Sequence, residues 1–137
     1  MTRRRINGHF AAWFYEETYR ENIDLIWPVD NPKVTAFMKS RFNIKYKSTF
    51  EFGGRVVELD NPPHGHHQVI CLGVWSRHPD PTDLSFVSHE CFHAAENILS
   101  KRAIPLVDDS CEAYAYLLES LVRRCLVLLD TRRKIQV

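Results

Sequence analysis

The sequence predicts an α+β fold, a small mixed sheet packed on helices. Three observations carry that expectation. Strand-like runs fill much of the first half, one helical pattern interrupts them, and two longer helical patterns occupy the second half. With 137 residues the chain is expected to form a single domain spanning 1–137, large enough to bury a core without disulfides.

Taken in order, the stretch from His9 to Tyr19 is aromatic-rich and fits either a helix or a strand. Ile23 to Val29 reads as a short strand ended by Pro28. Asp30-Asn31-Pro32 marks a helix start, because Asp or Asn caps the first amides and proline suits the first turn. Val34, Phe37, Met38 and Phe42 then continue an apolar stripe to about Phe42. Thr49 to Phe52 and Arg55 to Leu59 read as a hairpin joined by Gly53-Gly54. Asn61 to Gly65 carries two prolines and a glycine and is expected to be a loop. Gln68 to Trp75 is the most strongly apolar strand pattern. Asp80-Pro81 opens a helix running to about Leu99, with Asp83 in the first turn where a negative charge is favoured. Asp108, Asp109 or Ser110 is expected to cap a last helix reaching about Leu129.

Composition narrows the function classes. A hydrophobic fraction of 45% and a charged fraction of 26% are ordinary for a globular chain and argue against disorder. The net charge of +1 gives no overall field toward nucleic acid or anionic membrane, so a nucleic-acid partner is not expected. Basic residues do cluster as Arg3, Arg4 and Arg5 and as Arg132, Arg133 and Lys134, which reads as solvated termini. No stretch approaches the length of a membrane span, and the basic front runs into Glu16 and Glu17 rather than a secretory apolar core. Cys71, Cys91, Cys111 and Cys125 show no CxxC spacing and fit reduced thiols in the cytoplasm.

Residues 89–93 read His-Glu-Cys-Phe-His. Four residues apart on a helix, His89 and His93 share a face and can each offer a nitrogen to one zinc ion. Glu90 lies about 100° round the helix, placed to act as a general base on a metal-held water. Leu84, Val87, Cys91, Ala94 and Ile98 form a separate apolar stripe, so the segment reads as a core-facing helix with Cys91 as a small buried hydrophobe. The alternative is an ordinary helix with two satisfied histidines.

A catalytic zinc takes a third protein ligand and leaves one position open. Glu112 is the one charged residue in the otherwise apolar run 111–118, and a buried carboxylate is costly unless paired or metal-bound. It is therefore the candidate third ligand, unless it is a first-turn residue favoured by the helix dipole. Asp108, Asp109, Cys111, His64, His66 and His67 are the rivals, the histidines reading first as a polar loop.

The segments HECFHAAENIL and DDSCEAYAYLLESL together resemble the minimal gluzincins, and in particular short metallopeptidase-like proteins of phages and prophages, over roughly residues 68–125. The resemblance implies a zincin-like domain with an HExxH helix and a C-terminal helix, zinc ligands at His89, His93 and Glu112, and a catalytic role for Glu90. The HExxHxxGxxH extension of the metzincins is missing, with Glu96 and Asn97 in that region. The expected activity is zinc-dependent hydrolysis of a peptide bond, with Tyr114, Tyr116 or a loop histidine assisting at the oxyanion. If the strand from Gln68 to Trp75 forms a sheet edge, an extended peptide could pair with it. The competing expectation is a zinc-stabilised protein-binding factor without turnover.

Overall fold

The computed structural model describes residues 2–6, 8–50, 53–60 and 65–132. Five strands form one mixed sheet: β1 (Thr2–Ile6), β2 (His9–Glu16), β3 (Glu21–Trp27), β4 (Gly54–Asp60) and β5 (His66–Leu72). Their order across the sheet is β1-β2-β3-β5-β4. Only β3 and β5 run parallel; every other neighbouring pair is antiparallel. The aromatic-rich segment after His9 resolves as strand because its alternate residues serve two cores. Ala12 and Phe14 face one side with Ile23, Leu25, Ile70 and Leu72, while Ala11 faces the other with Ile26, Val69 and Cys71.

Helix α1 (Asn31–Phe42) covers the second of these faces, burying Val34, Phe37, Met38 and Phe42. Asp30 caps it by accepting from the Lys33 amide at 3.0 Å, as expected, and Asn43 ends it in the left-handed region at φ 55°. The opposite face carries α2 (Pro81–Ser100) and α3 (Cys111–Leu129). The fold is therefore α+β in three layers: α1, the sheet, and the α2–α3 pair. None of the helices among the described residues is long and apolar enough to cross a membrane.

The structure departs from expectation in several places, each for a local reason. The basic terminus is exposed at Arg4 and Arg5, as expected, but it also forms a strand, β1, that pairs with β2 from Thr2 to Ile6. Its arginines find partners: Arg3 donates to the carbonyls of Leu128 and Asp130 at 2.8 Å each, and Arg4 and Arg5 lie over Trp13 and Phe10. The expected hairpin between Thr49–Phe52 and Arg55–Leu59 does not form as read. Residues 51–52 lie outside the described residues, and residues 43–50 hold no strand. Instead Asn31 grips that segment, donating to the Phe50 carbonyl at 3.0 Å and accepting from Ser48 Oγ at 2.6 Å and the Phe50 amide at 3.1 Å. The antiparallel partner of β4 is β5, from Gly54↔Leu72 to Asp60↔His66. Strand β5 ends at Leu72 rather than Trp75, where the Gly73 amide turns to the Gly53 carbonyl at 2.8 Å.

Helix α2 starts at a capping box. The Asp83 amide donates to Asp80 Oδ1 at 2.9 Å, and the Asp80 amide donates back to Asp83 Oδ2 at 3.1 Å. Its buried stripe is Val87, Cys91, Ala94, Ala95, Ile98 and Leu99; Leu84, expected in the stripe, is exposed. Helix α3 begins after a 3-10 turn at Asp108–Ser110 and has no side-chain cap; Ser110 Oγ turns back to the Pro105 carbonyl instead. It buries Tyr114, Leu117, Leu121, Cys125, Leu128 and Leu129. Cys91 Sγ meets Cys125 Sγ at 3.8 Å, fixing the register of the two helices.

Gly54 sets how closely α2 approaches the sheet. A Cβ there would stand 2.4 Å from the Cys71 carbonyl oxygen and 3.0 Å from Glu90 Cγ. The carbonyl belongs to the β4–β5 ladder and cannot yield. Gly54→Ala is therefore expected to destabilise the chain by about 1–3 kcal/mol, the usual range for forcing atoms into a packed site. Chemical denaturation checks this; an unchanged midpoint would show that β4 does not pack as described.

Candidate active site

The HExxH segment lies in the middle of α2, on the flank that looks past the start of β4. His89 and His93 are both exposed, with their Nε2 atoms 3.1 Å apart. Two nitrogens held at about 2.0–2.1 Å by one tetrahedral ion are separated by about 3.3 Å, so the pair fits adjacent positions of a zinc site. In this contact one ring nitrogen donates and the other accepts. Glu90 behaves differently from its neighbours. It is only 5% exposed, tucked beneath Gly54, with Oε1 3.9 Å from His89 Nε2. Burial pushes its carboxyl above the ordinary carboxylate value, while the charges of His89, His93 and Arg55 pull the other way.

These groups line a cavity of about 400 Å³ between α2 and β4, together with Phe50, Gly54, Arg55, Val56 and Asn97. Among the described residues strand β4 pairs with β5 alone and forms the sheet edge here. Strand β5 lies between β3 and β4, so the condition for an extended peptide to pair with it as an edge is not met.

Glu112 is not where the sequence reading wanted it. It sits in the exposed first turn of α3, so the argument from a buried carboxylate does not hold; the surrounding turn is one-sided, with Tyr116 68% exposed. The α2–α3 register set by Cys91 and Cys125, and by Tyr114 Oη donating to the Ile104 carbonyl at 2.9 Å, puts residue 112 beyond the end of α2. At about 1.5 Å per residue that is on the order of 15 Å along the axis from His93. Its place matches the dipole-favoured first-turn alternative. The rivals are elsewhere too. Asp108, Asp109 and Cys111 are exposed around the start of α3, and His66 pairs with Asp60 at 2.6 Å. His67 meets Asp24 at 2.9 Å on the α1 face, and His64 lies outside the described residues. Among the described residues, no group of three His, Cys, Asp or Glu is arranged to hold a metal. Tyr114 is buried and committed to Ile104, which removes it as an oxyanion donor.

The sequence reading missed Arg55 and Asn97. Asn97 follows His89 and His93 at the same four-residue spacing, a signal visible in the sequence but masked by the search for a metal ligand. Its orientation is set by a relay. The fully buried Glu21 carboxylate, paired with Arg102 at 3.1 Å, only accepts. Gln68 must then donate its Nε2 to Glu21, at 3.1 Å, and present its oxygen to Asn97 Nδ2, at 3.0 Å. The Asn97 carbonyl oxygen is thereby left for the cavity. No protein-family model, curated protein or solved structure matches this chain.

Glu21→Gln is expected to break this relay, because an amide offers one accepting oxygen where the carboxylate offers two and so cannot accept from both Gln68 and Arg102. The Asn97 side-chain amide protons should lose protection from exchange, and stability should fall by about 1–3 kcal/mol for the partner groups left unsatisfied. Side-chain amide NMR checks both; unchanged Asn97 protection would mean that Glu21 does not orient it.

Proposed function

We propose that this chain is a metal-dependent peptide hydrolase of the HExxH type, with His89 and His93 as zinc ligands and Glu90 as general base. The observation that carries the reading is the pairing of two exposed imidazoles 3.1 Å apart with a buried carboxylate on the next residue. When bound, zinc would supply a water acidified toward neutral pH. Glu90 accepts the proton of the attacking water at its carboxylate and returns it to the leaving amine. Its burial favours the protonated form that this return requires. The unpaired side of β4 takes an extended peptide as an added strand, with Arg55 and the Asn97 oxygen facing the bound backbone. Glu112, in the exposed first turn of α3, is not part of the metal site in this reading. The free thiols of Cys71, Cys91, Cys111 and Cys125 favour the reducing cytoplasm as the place of action.

The test compares zinc content and cleavage of fluorogenic peptides across variants. Glu90→Gln should retain zinc and lose at least about 100-fold in hydrolysis, the low end for removal of a general base. His93→Ala should lose both. Hydrolysis by Glu90→Gln at the wild-type rate would reject Glu90 as base.

A second reading is favoured by one observation, that only two of the expected ligands gather among the described residues. In it the chain is a protein-binding factor without turnover. Zinc retained by a wild-type chain that cleaves none of the peptides would select this reading over hydrolysis.

A further inference from the structure

On the face of the sheet opposite the HExxH site, β1, β2 and α1 enclose a second cavity of about 430 Å³. Its floor holds His9, which is 5% exposed, and neither ring nitrogen has a hydrogen-bond partner among the described residues. A buried imidazole with both nitrogens unsatisfied is costly and calls for a partner. Burial and the nearby Lys33 hold its pKa below the ordinary histidine value, despite the opposing pull of Asp30, so the neutral ring has one donor and one acceptor to place.

The walls are cationic. Arg4 and Arg41 both lie over the Trp13 ring, with guanidinium carbons 5.3 and 4.8 Å from its centroid. Arg41 spends its Nε on buried Asp24 at 2.7 Å. Arg4 has no ion pair among the described residues. Ser40 adds a hydroxyl at the rim, and Phe37 and Ala11 supply an apolar side. The planar forks of Arg4 and Arg41 match the oxygens of a carboxylate or phosphate.

We infer that this cavity is a binding site for a small organic oxyanion, its carboxylate or phosphate head held by Arg4, Arg41 and His9 and its short apolar body resting on Phe37 and Ala11. The site is independent of the hydrolase reading, since the sheet separates the two cavities. Arg4 and Arg41 both stand over the Trp13 ring, so a charged head group has more to gain there than an uncharged aromatic. The cavity exceeds the size of an inorganic anion, which is why the ligand has a body as well as a head.

The experiment titrates the metal-free full chain with benzoate, phenyl phosphate and benzyl alcohol, following the ring resonances of His9 and Trp13 by NMR. Saturable shifts at both rings with benzoate, phenyl phosphate or both, and none with the neutral alcohol, are expected; the responding arm identifies the head group. In Arg4→Gln the binding should weaken at least about tenfold, as for loss of one charge-assisted contact. The inference is overturned if neither anion shifts these resonances up to about 10 mM, where a weak small-ligand site still fills. Equal responses to all three probes, or unchanged affinity in a folded Arg4→Gln, would overturn it as well.

Discussion

Close contact between α2 and the β4–β5 ladder governs the rest of the molecule. Without a side chain at Gly54, the helix comes near enough for Glu90 to lie against the sheet. Small residues on its inner side, Cys91, Ala94 and Ala95, let α3 approach from behind with Cys125 in contact. The capping box at Asp80 and Asp83 starts the helix at a fixed residue and so fixes its rotational phase. Given that phase, the residue after His89 must be buried and His89 and His93 must project past the sheet edge. One packing constraint thus separates a desolvated carboxylate from two solvent-facing imidazoles only a few ångströms away. That contrast in environment is what the proposed roles of Glu90 as base and of the histidines as metal ligands rest on.

The two faces of the sheet are built to different ends. Toward α2 and α3, Arg102, Glu21, Gln68 and Asn97 form a connected chain, every link hydrogen-bonded. Toward α1, Asp24 is likewise satisfied, by Arg41 and His67. His9 is the exception on that face, and its unsatisfied ring sits inside a cavity walled by cations. A fold that satisfies its other buried polar side chains among the described residues makes that exception informative.

Much of this arrangement was legible locally. Asp30 and Asp80 are short polar residues before proline, and both act as the caps their chemistry suggests. The HExxH spacing guaranteed a shared face for the histidines once the segment was helical. What depended on long-range pairing was not legible. Three consecutive arginines look solvated, and only the carbonyls at the end of α3 and the rings of Trp13 and Phe10 make them strand residues. Gly53-Gly54 looks like a hairpin turn because glycine signals turns, whereas its service here is to admit Phe86 and Glu90 from a helix some thirty residues on. Glu112 looks buried because its neighbours are apolar; three of them, Cys111, Ala115 and Tyr116, are exposed, which a periodic pattern in so short a run does not reveal. The expectation that it meets His93 required an inter-helix register that Cys91 and Cys125 set otherwise.

The central claim is that the imidazoles of His89 and His93 together hold a divalent cation. X-ray absorption at the zinc edge of the zinc-loaded chain tests it most directly. The account predicts a mononuclear centre with two imidazole nitrogens at about 2.0–2.1 Å, the remaining positions filled by oxygen. A spectrum with no imidazole scattering, or one dominated by thiolate sulfur, would contradict it.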